Sequence, residues 1–166
     1  MNTRYLAEGL CRWLVSQPYA DLAALQTESE LHTKLRQVPS PFDLEPCHHP
    51  PIEGLFGQPD QTDFHPRSDP NIVVEAKLVR ADRSGWTNEY DARNGLGQTL
   101  AQAFFAKAHG AVLLIVDAGR VSNRPLSAPE QDFIQMFISN PYVIRFAVCR
   151  VRLDAARQAV FCEVIS

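Results

Sequence analysis

The run Ala111-Val112-Leu113-Leu114-Ile115-Val116-Asp117 limits the possible folds more than any other feature of the chain. A strand with one wet face alternates apolar and polar residues, because its side chains point to opposite faces in turn. An unbroken apolar run needs cover on both faces, which is the habit of a central strand between layers of helix. A second run, Ile72-Val73-Val74-Glu75-Ala76-Lys77-Leu78-Val79, is β-branched and apolar at both ends. It too reads as a strand, but one with an acid and a base set into it.

The flanking segments supply the helices. Leu6, Leu10, Trp13 and Leu14 fall at helical spacing, so Thr3 to Val15 presents one apolar face, and Pro18 interrupts it. A second helix is expected from about Thr27 or Ser29, with Ser29 as N-cap and Leu31 and Leu35 inward. Pro39 and Pro41 end it. The proline-rich stretch 39–70 leaves room for short extended pieces around Phe42–Cys47 and Phe56–His65. It closes on the turn-forming run Pro66-Arg67-Ser68-Asp69-Pro70-Asn71. After a polar loop, a helix is expected over about Asn94–His109, with Gly110 as its C-terminal cap. Ser127-Ala128-Pro129-Glu130 reads as a capped helix start, running to Ile138 or Ser139. Val143–Leu153 and Ala159–Ile165 make a final hairpin. The expected architecture is an α/β single domain over 1–166, with helices packed on a sheet.

A chain of 166 residues is long enough for one real core. Its 45% hydrophobic and 21% charged residues are close to the globular norm. No apolar run approaches the roughly 20 residues of a membrane helix, and the N-terminus lacks a secretory pattern. A soluble, cytoplasmic protein with no membrane contact is the expectation. A formal net charge of -3 argues against a broad basic surface, though a local basic strip still holds phosphates. Cys11, Cys47, Cys149 and Cys162 show neither a disulfide framework nor metal-ligand spacing.

The chemistry sits where the two strand signals meet. Asp60 and Asp63 precede the Pro66–Asn71 turn, and Glu75 and Lys77 follow it. Folding the hairpin about the Ser68–Asp69 centre sets Asp63 opposite Val74, beside Glu75. Two carboxylates on neighbouring strands repel unless a divalent cation, which prefers oxygen ligands, lies between them. Glu75 and Lys77 share a strand face. A lysine beside a metal-held carboxylate steadies a water or a phosphate oxygen, and the metal acidifies that water.

These residues resemble the PD-(D/E)xK nuclease superfamily. Pro59-Asp60 matches the literal first acid, Asp63-Phe64 matches its "DF" version, and Glu75-Ala76-Lys77 supplies ExK. Asp63 is favoured as first acid on register, with Asp60 as second choice. A helix led by Glu28 or Glu30 precedes the triad, and a helix carrying Gln98 and Gln102 follows it, before the buried strand Ala111–Asp117. The resemblance implies a restriction-endonuclease-like αβββαβ core over about 27–118, with a central mixed sheet flanked by helices. The N-terminal helix and the C-terminal hairpin are additions to it. It implies Mg2+ or Mn2+ held by Asp63, Glu75 and Asp60, with Lys77 and Gln98 assisting. The substrate would be DNA, with RNA as an option, and the chain would work as a homodimer or with a protein partner. After Gln98 and Gln102 no tyrosine stands four residues on, so the Q-x-x-x-Y subgroup does not match.

Blander readings stand beside these. Gln98 and Gln102 also fit an ordinary polar helix face, and Glu30 fits a solvated one. Cys47-His48-His49 with His65 matches no zinc spacing and reads as a loop. Arg80, Arg83 and Arg93 fit phosphate contacts and Trp86 a stacking platform, or all four an ordinary exposed loop. A catalytically inactive binding or assembly module on the same fold is the competing function.

Overall fold

A computed structural model of the chain describes residues 1–47, 52–53, 59–79, 89–118 and 124–166. Both apolar runs are central strands. β5 (Ile72–Val79) lies parallel to β6 (Gly110–Asp117), in a register that pairs Ile72 with Gly110 and Val79 with Asp117. β6 in turn lies parallel to β7 (Arg145–Asp154). Every residue of β6 is buried, as an unbroken apolar run requires.

The six-stranded mixed sheet has the order β1-β4-β5-β6-β7-β8, where β1 is Leu44–Pro46, β4 Phe64–Pro66 and β8 Ala159–Ile165. β1, β4 and β5 run antiparallel in turn, and β8 pairs antiparallel with β7 as the expected hairpin. β2 (Ile52–Glu53) and β3 (Pro59–Asp60) form a separate two-stranded piece. No described helix is long and apolar enough to cross a membrane.

Helices α1 (Thr3–Val15), α2 (Tyr19–Ala23) and α3 (Glu28–Leu35) cover one face of the sheet. They bury Leu6, Leu10, Leu14, Leu22, Leu31 and Leu35 against Ile72, Val74, Ala76 and Cys149. Helices α4 (Glu89–Phe105) and α5 (Ala128–Ile138) cover the other, over Val73, Leu113, Ile115 and Val148.

Several local expectations need correction. The N-cap of α3 is Thr27, not Ser29: the Thr27 hydroxyl accepts from the Glu30 N–H, and the Glu30 carboxylate accepts from the Thr27 N–H. The short helix α2, where only a Pro18 break was expected, lies between α1 and α3. α4 begins five residues earlier than expected and ends at Phe105, so Gly110 does not cap it. Its end is a Schellman motif built on Lys107. The Lys107 N–H donates to Phe104 O, and the Ala108 N–H to Ala103 O, with Lys107 at φ 56°. Gly110 instead opens β6, where a side chain would meet Thr3 Cγ2 at 2.5 Å. Glycine there lets α1 approach the sheet. Ser127 begins α5 as expected, with its N–H and hydroxyl both donating to the Glu130 carboxylate.

The cysteines also differ from expectation. Cys11 on α1 and Cys162 on β8 form a disulfide across 151 residues of sequence. Residues so far apart in sequence, with no dense cysteine pattern, give no pairing signal to read.

Candidate active site

The turn that carries the site is set by Asp69. Its carboxylate accepts from the Asn71 N–H and its carbonyl from the Ile72 N–H, which reverses the chain into β5. β4 and β5 then pair with Phe64 opposite Val74. That is one residue away from the predicted register. Extending it by one step sets Asp63 directly against Glu75, a closer approach than the centred hairpin gave.

Strand alternation decides which side the site faces. Val73, Leu113 and Val148 mark the α4 face, and Glu75 and Lys77 share the parity of Val73 along β5. Glu75 is 1% exposed. Lys77 Nζ lies 2.8 Å from Glu75 Oε1 and 3.9 Å from Glu28 Oε1. The Asp63 Oδ2 accepts from the Ala76 N–H at 2.8 Å and lies 3.3 Å from His32 Nε2. Glu28 and His32 stand one turn apart on α3, which packs against β5, so one helix face delivers both. Glu28 is therefore the leading acid at the site, while Glu30 is used in capping.

Gln102 is the helical glutamine of this site. It is wholly buried, hydrogen-bonds Glu75, and donates from Nε2 to Gln61 O at 3.3 Å. Gln98, one turn earlier, is half-buried, and no contact from it to the carboxylates is found among the described residues. Gly95, another turn back, lets α4 sit close to the strand: a Cβ there would meet Leu113 Cδ1 at 3.1 Å and Lys77 Cγ at 3.3 Å. The absent side chain leaves space for the lysine stem.

The electrostatics follow from burial. Burial and the Asp63 charge push the Glu75 carboxyl up from 4.5 to about 7, against the pull of Lys77 and Gln102. Burial works against the Lys77 ammonium, but the hydrogen bond to Glu75 and the charges of Glu75, Glu28 and Asp63 outweigh it and raise its pKa. The His32 pKa is raised as well, chiefly by the Asp63 carboxylate 3.3 Å from its Nε2, with burial opposing.

Among the described residues, the buried Glu75 Oε2 has no hydrogen-bond partner. A bare carboxylate oxygen away from water is costly, and here a second carboxylate repels it. A hard divalent cation answers both problems, and the donor set fits one. Asp63 and Glu75 are the residues that would hold it.

Sequence reasoning missed His32, Gln102's priority over Gln98, and Gly95. A legible signal existed for the first: Glu28 and His32 are four residues apart, on a helix whose Leu31 and Leu35 point inward. Asp60 lies on β3, and its side chain is outside the described residues, as are Arg80, Arg83, Trp86, His48 and His49. Arg93 is described, on α4, and exposed. No protein-family model, no curated protein and no solved structure matches this chain.

Proposed function

We propose that this chain is a metal-dependent nuclease of the PD-(D/E)xK type that hydrolyses phosphodiester bonds in DNA. The observation that carries the reading is the buried Glu75, with one oxygen on Lys77 and the other without a partner among the described residues, beside Asp63. The element order within the six-stranded sheet supports it: with β2 and β3 set apart as a separate piece between β1 and β4, the succession α3, β1, β4, β5, α4, β6 is αβββαβ, with β5 and β6 parallel. The proposal extends to Mg2+ or Mn2+ as cofactor, a homodimer or partner-bound state, and a cytoplasmic setting.

The roles follow from position. Asp63 and Glu75 would hold the cation through carboxylate oxygens. When bound, such a cation stabilises charge on phosphoryl oxygens and acidifies a water. The Lys77 ammonium, fixed by Glu75, keeps its charge at neutral pH and steadies the attacking water or a phosphate oxygen. Gln102 fixes the orientation of Glu75 by a hydrogen bond that cannot titrate. The Ala76 N–H does the same for Asp63.

One observation favours the second reading, an inactive module on the same fold. Asp63 Oδ2 already has protein partners in Ala76 and His32, so that carboxylate is held without a cation. Cleavage separates the two. Single-stranded DNA, duplex DNA, RNA and a nucleotide are incubated side by side with Mg2+ or Mn2+, using wild type, Glu75→Ala and Lys77→Ala. The nuclease reading expects cleavage of DNA by wild type alone. Equal cleavage by all three proteins, or none by any, overturns it.

A further inference from the structure

The opposite face of the sheet carries a second group of chemically active side chains. Cys11 on α1, Cys149 on β7 and Cys162 on β8 bring their sulfurs within 4.8 Å of one another. Cys149 Sγ lies 3.4 Å from Cys162 Sγ. Cys149 is wholly buried and Cys11 and Cys162 are half-buried, among the apolar residues under α1. Cys149 packs with Val74, Ala76 and Val151, so this group lies across the sheet from Glu75 and Lys77. Nothing in the proposed nuclease chemistry uses it.

We propose that the reduced Cys11, Cys149 and Cys162 form a three-sulfur site for a soft monovalent cation, Cu(I). Thiolates select soft metals. With metal–sulfur bonds of about 2.3 Å, a trigonal set has sulfurs about 4 Å apart; Cys149 Sγ already stands 3.4 Å from Cys162 Sγ, and opening the disulfide frees Cys11 Sγ and Cys162 Sγ to separate within a group that spans no more than 4.8 Å. Structural zinc takes four ligands and iron–sulfur clusters take four thiolates, whereas the described residues offer three here. Burial pushes the Cys149 thiol up to about 12, so it is unreactive alone, and a coordinating metal would displace its proton outright. Cys11 and Cys162 are only partly buried residues, which leaves the remaining charge closer to water than at Cys149. The Cys11–Cys162 disulfide is the oxidised, metal-free form of the same group.

The test starts by opening that disulfide. Reduction takes two electrons and two protons. A phosphine supplies the electrons and becomes the phosphine oxide with the oxygen of one water, whose protons go to the two sulfurs. The reduced protein is titrated with Cu(I) without oxygen, against a chromogenic Cu(I) chelator. One equivalent should be retained by wild type and by Cys47→Ser, and lost in Cys11→Ser and Cys149→Ser. Bound Cu(I) should also protect Cys11 and Cys162 from alkylation, read by mass spectrometry. Circular dichroism checks folding, and if Cys149→Ser fails to fold, Cys11→Ser decides, since its site is half-exposed. No retained Cu(I), undiminished retention in Cys11→Ser or a folded Cys149→Ser, or Zn2+ held in preference to Cu(I) overturns the proposal. DNA cleavage does not enter this readout, so the two proposals fail separately.

Discussion

Glu75→Gln should make the protein more stable above neutral pH, and this follows from how the site is built. The folded state holds the Glu75 proton up to about pH 7, while a glutamate in an open chain has an ordinary value of 4.5. Between those values the folded state binds more protons than the unfolded one, so stability falls as pH rises through that window. Moving a carboxyl from 4.5 to about 7 corresponds to roughly 3 kcal/mol once pH exceeds both. Glutamine has the shape of the protonated acid and never incurs that cost. The variant should therefore match wild type to within about 1 kcal/mol near pH 5 and exceed it by about 3 kcal/mol near pH 8. Lys77 keeps Glu28 at 3.9 Å in the variant, so it is not left without a counter-charge. Urea unfolding of both proteins at the two pH values, in chelator, reads the difference directly. Adding Mn2+ should then stabilise wild type and leave the variant unchanged. A stability difference that does not change with pH, or a variant weaker than wild type near pH 8, would refute the reasoning.

Three further outcomes follow from the same geometry. Gln102→Ala should lower cleavage far more than Gln98→Ala, and should destabilise the fold by about 1–3 kcal/mol through the bonds it loses; parallel kinetics and unfolding curves decide. Gly110→Ala should cost about 1–3 kcal/mol because the new methyl meets Thr3 Cγ2, and adding Thr3→Ser should restore most of it; thermal unfolding of the pair tests this. Arg150→Met should destabilise by about 3–5 kcal/mol, since Arg150 lies 2.8 Å from the buried Asp117 and 3.3 Å from Glu163; a loss under about 1 kcal/mol would contradict it.

What the sequence made legible depended on the range of the interaction involved. β6 and β5 were readable because an apolar run declares burial on both faces by itself. β8 runs over Ala159–Ile165 as expected, and α5 starts at its Ser127–Glu130 box, because hairpins and caps are local devices. The pairing of Glu75 with Lys77 was readable from strand parity. The register of β4 on β5 was missed by one residue, since the centre of a six-residue turn is not fixed by its composition. Gly110 misled for a related reason. A glycine after a helix suggests a cap, but this one answers to Thr3, more than a hundred residues earlier in the chain. The spacing of His32 from Glu28 was legible, but its approach to Asp63, and the choice of Gln102 over Gln98, depend on which way α3 and α4 rotate over β5, and packing sets that rotation. The Cys11–Cys162 contact joins the first helix to the last strand, and no spacing rule reaches that far.

The most direct test is a calorimetric titration of Mn2+ into the purified protein, with Asp63→Asn and Glu75→Gln beside wild type. Wild type should bind saturably, with binding lost in Glu75→Gln and weakened in Asp63→Asn. No binding by wild type at millimolar Mn2+, or equal binding by all three proteins, would contradict it.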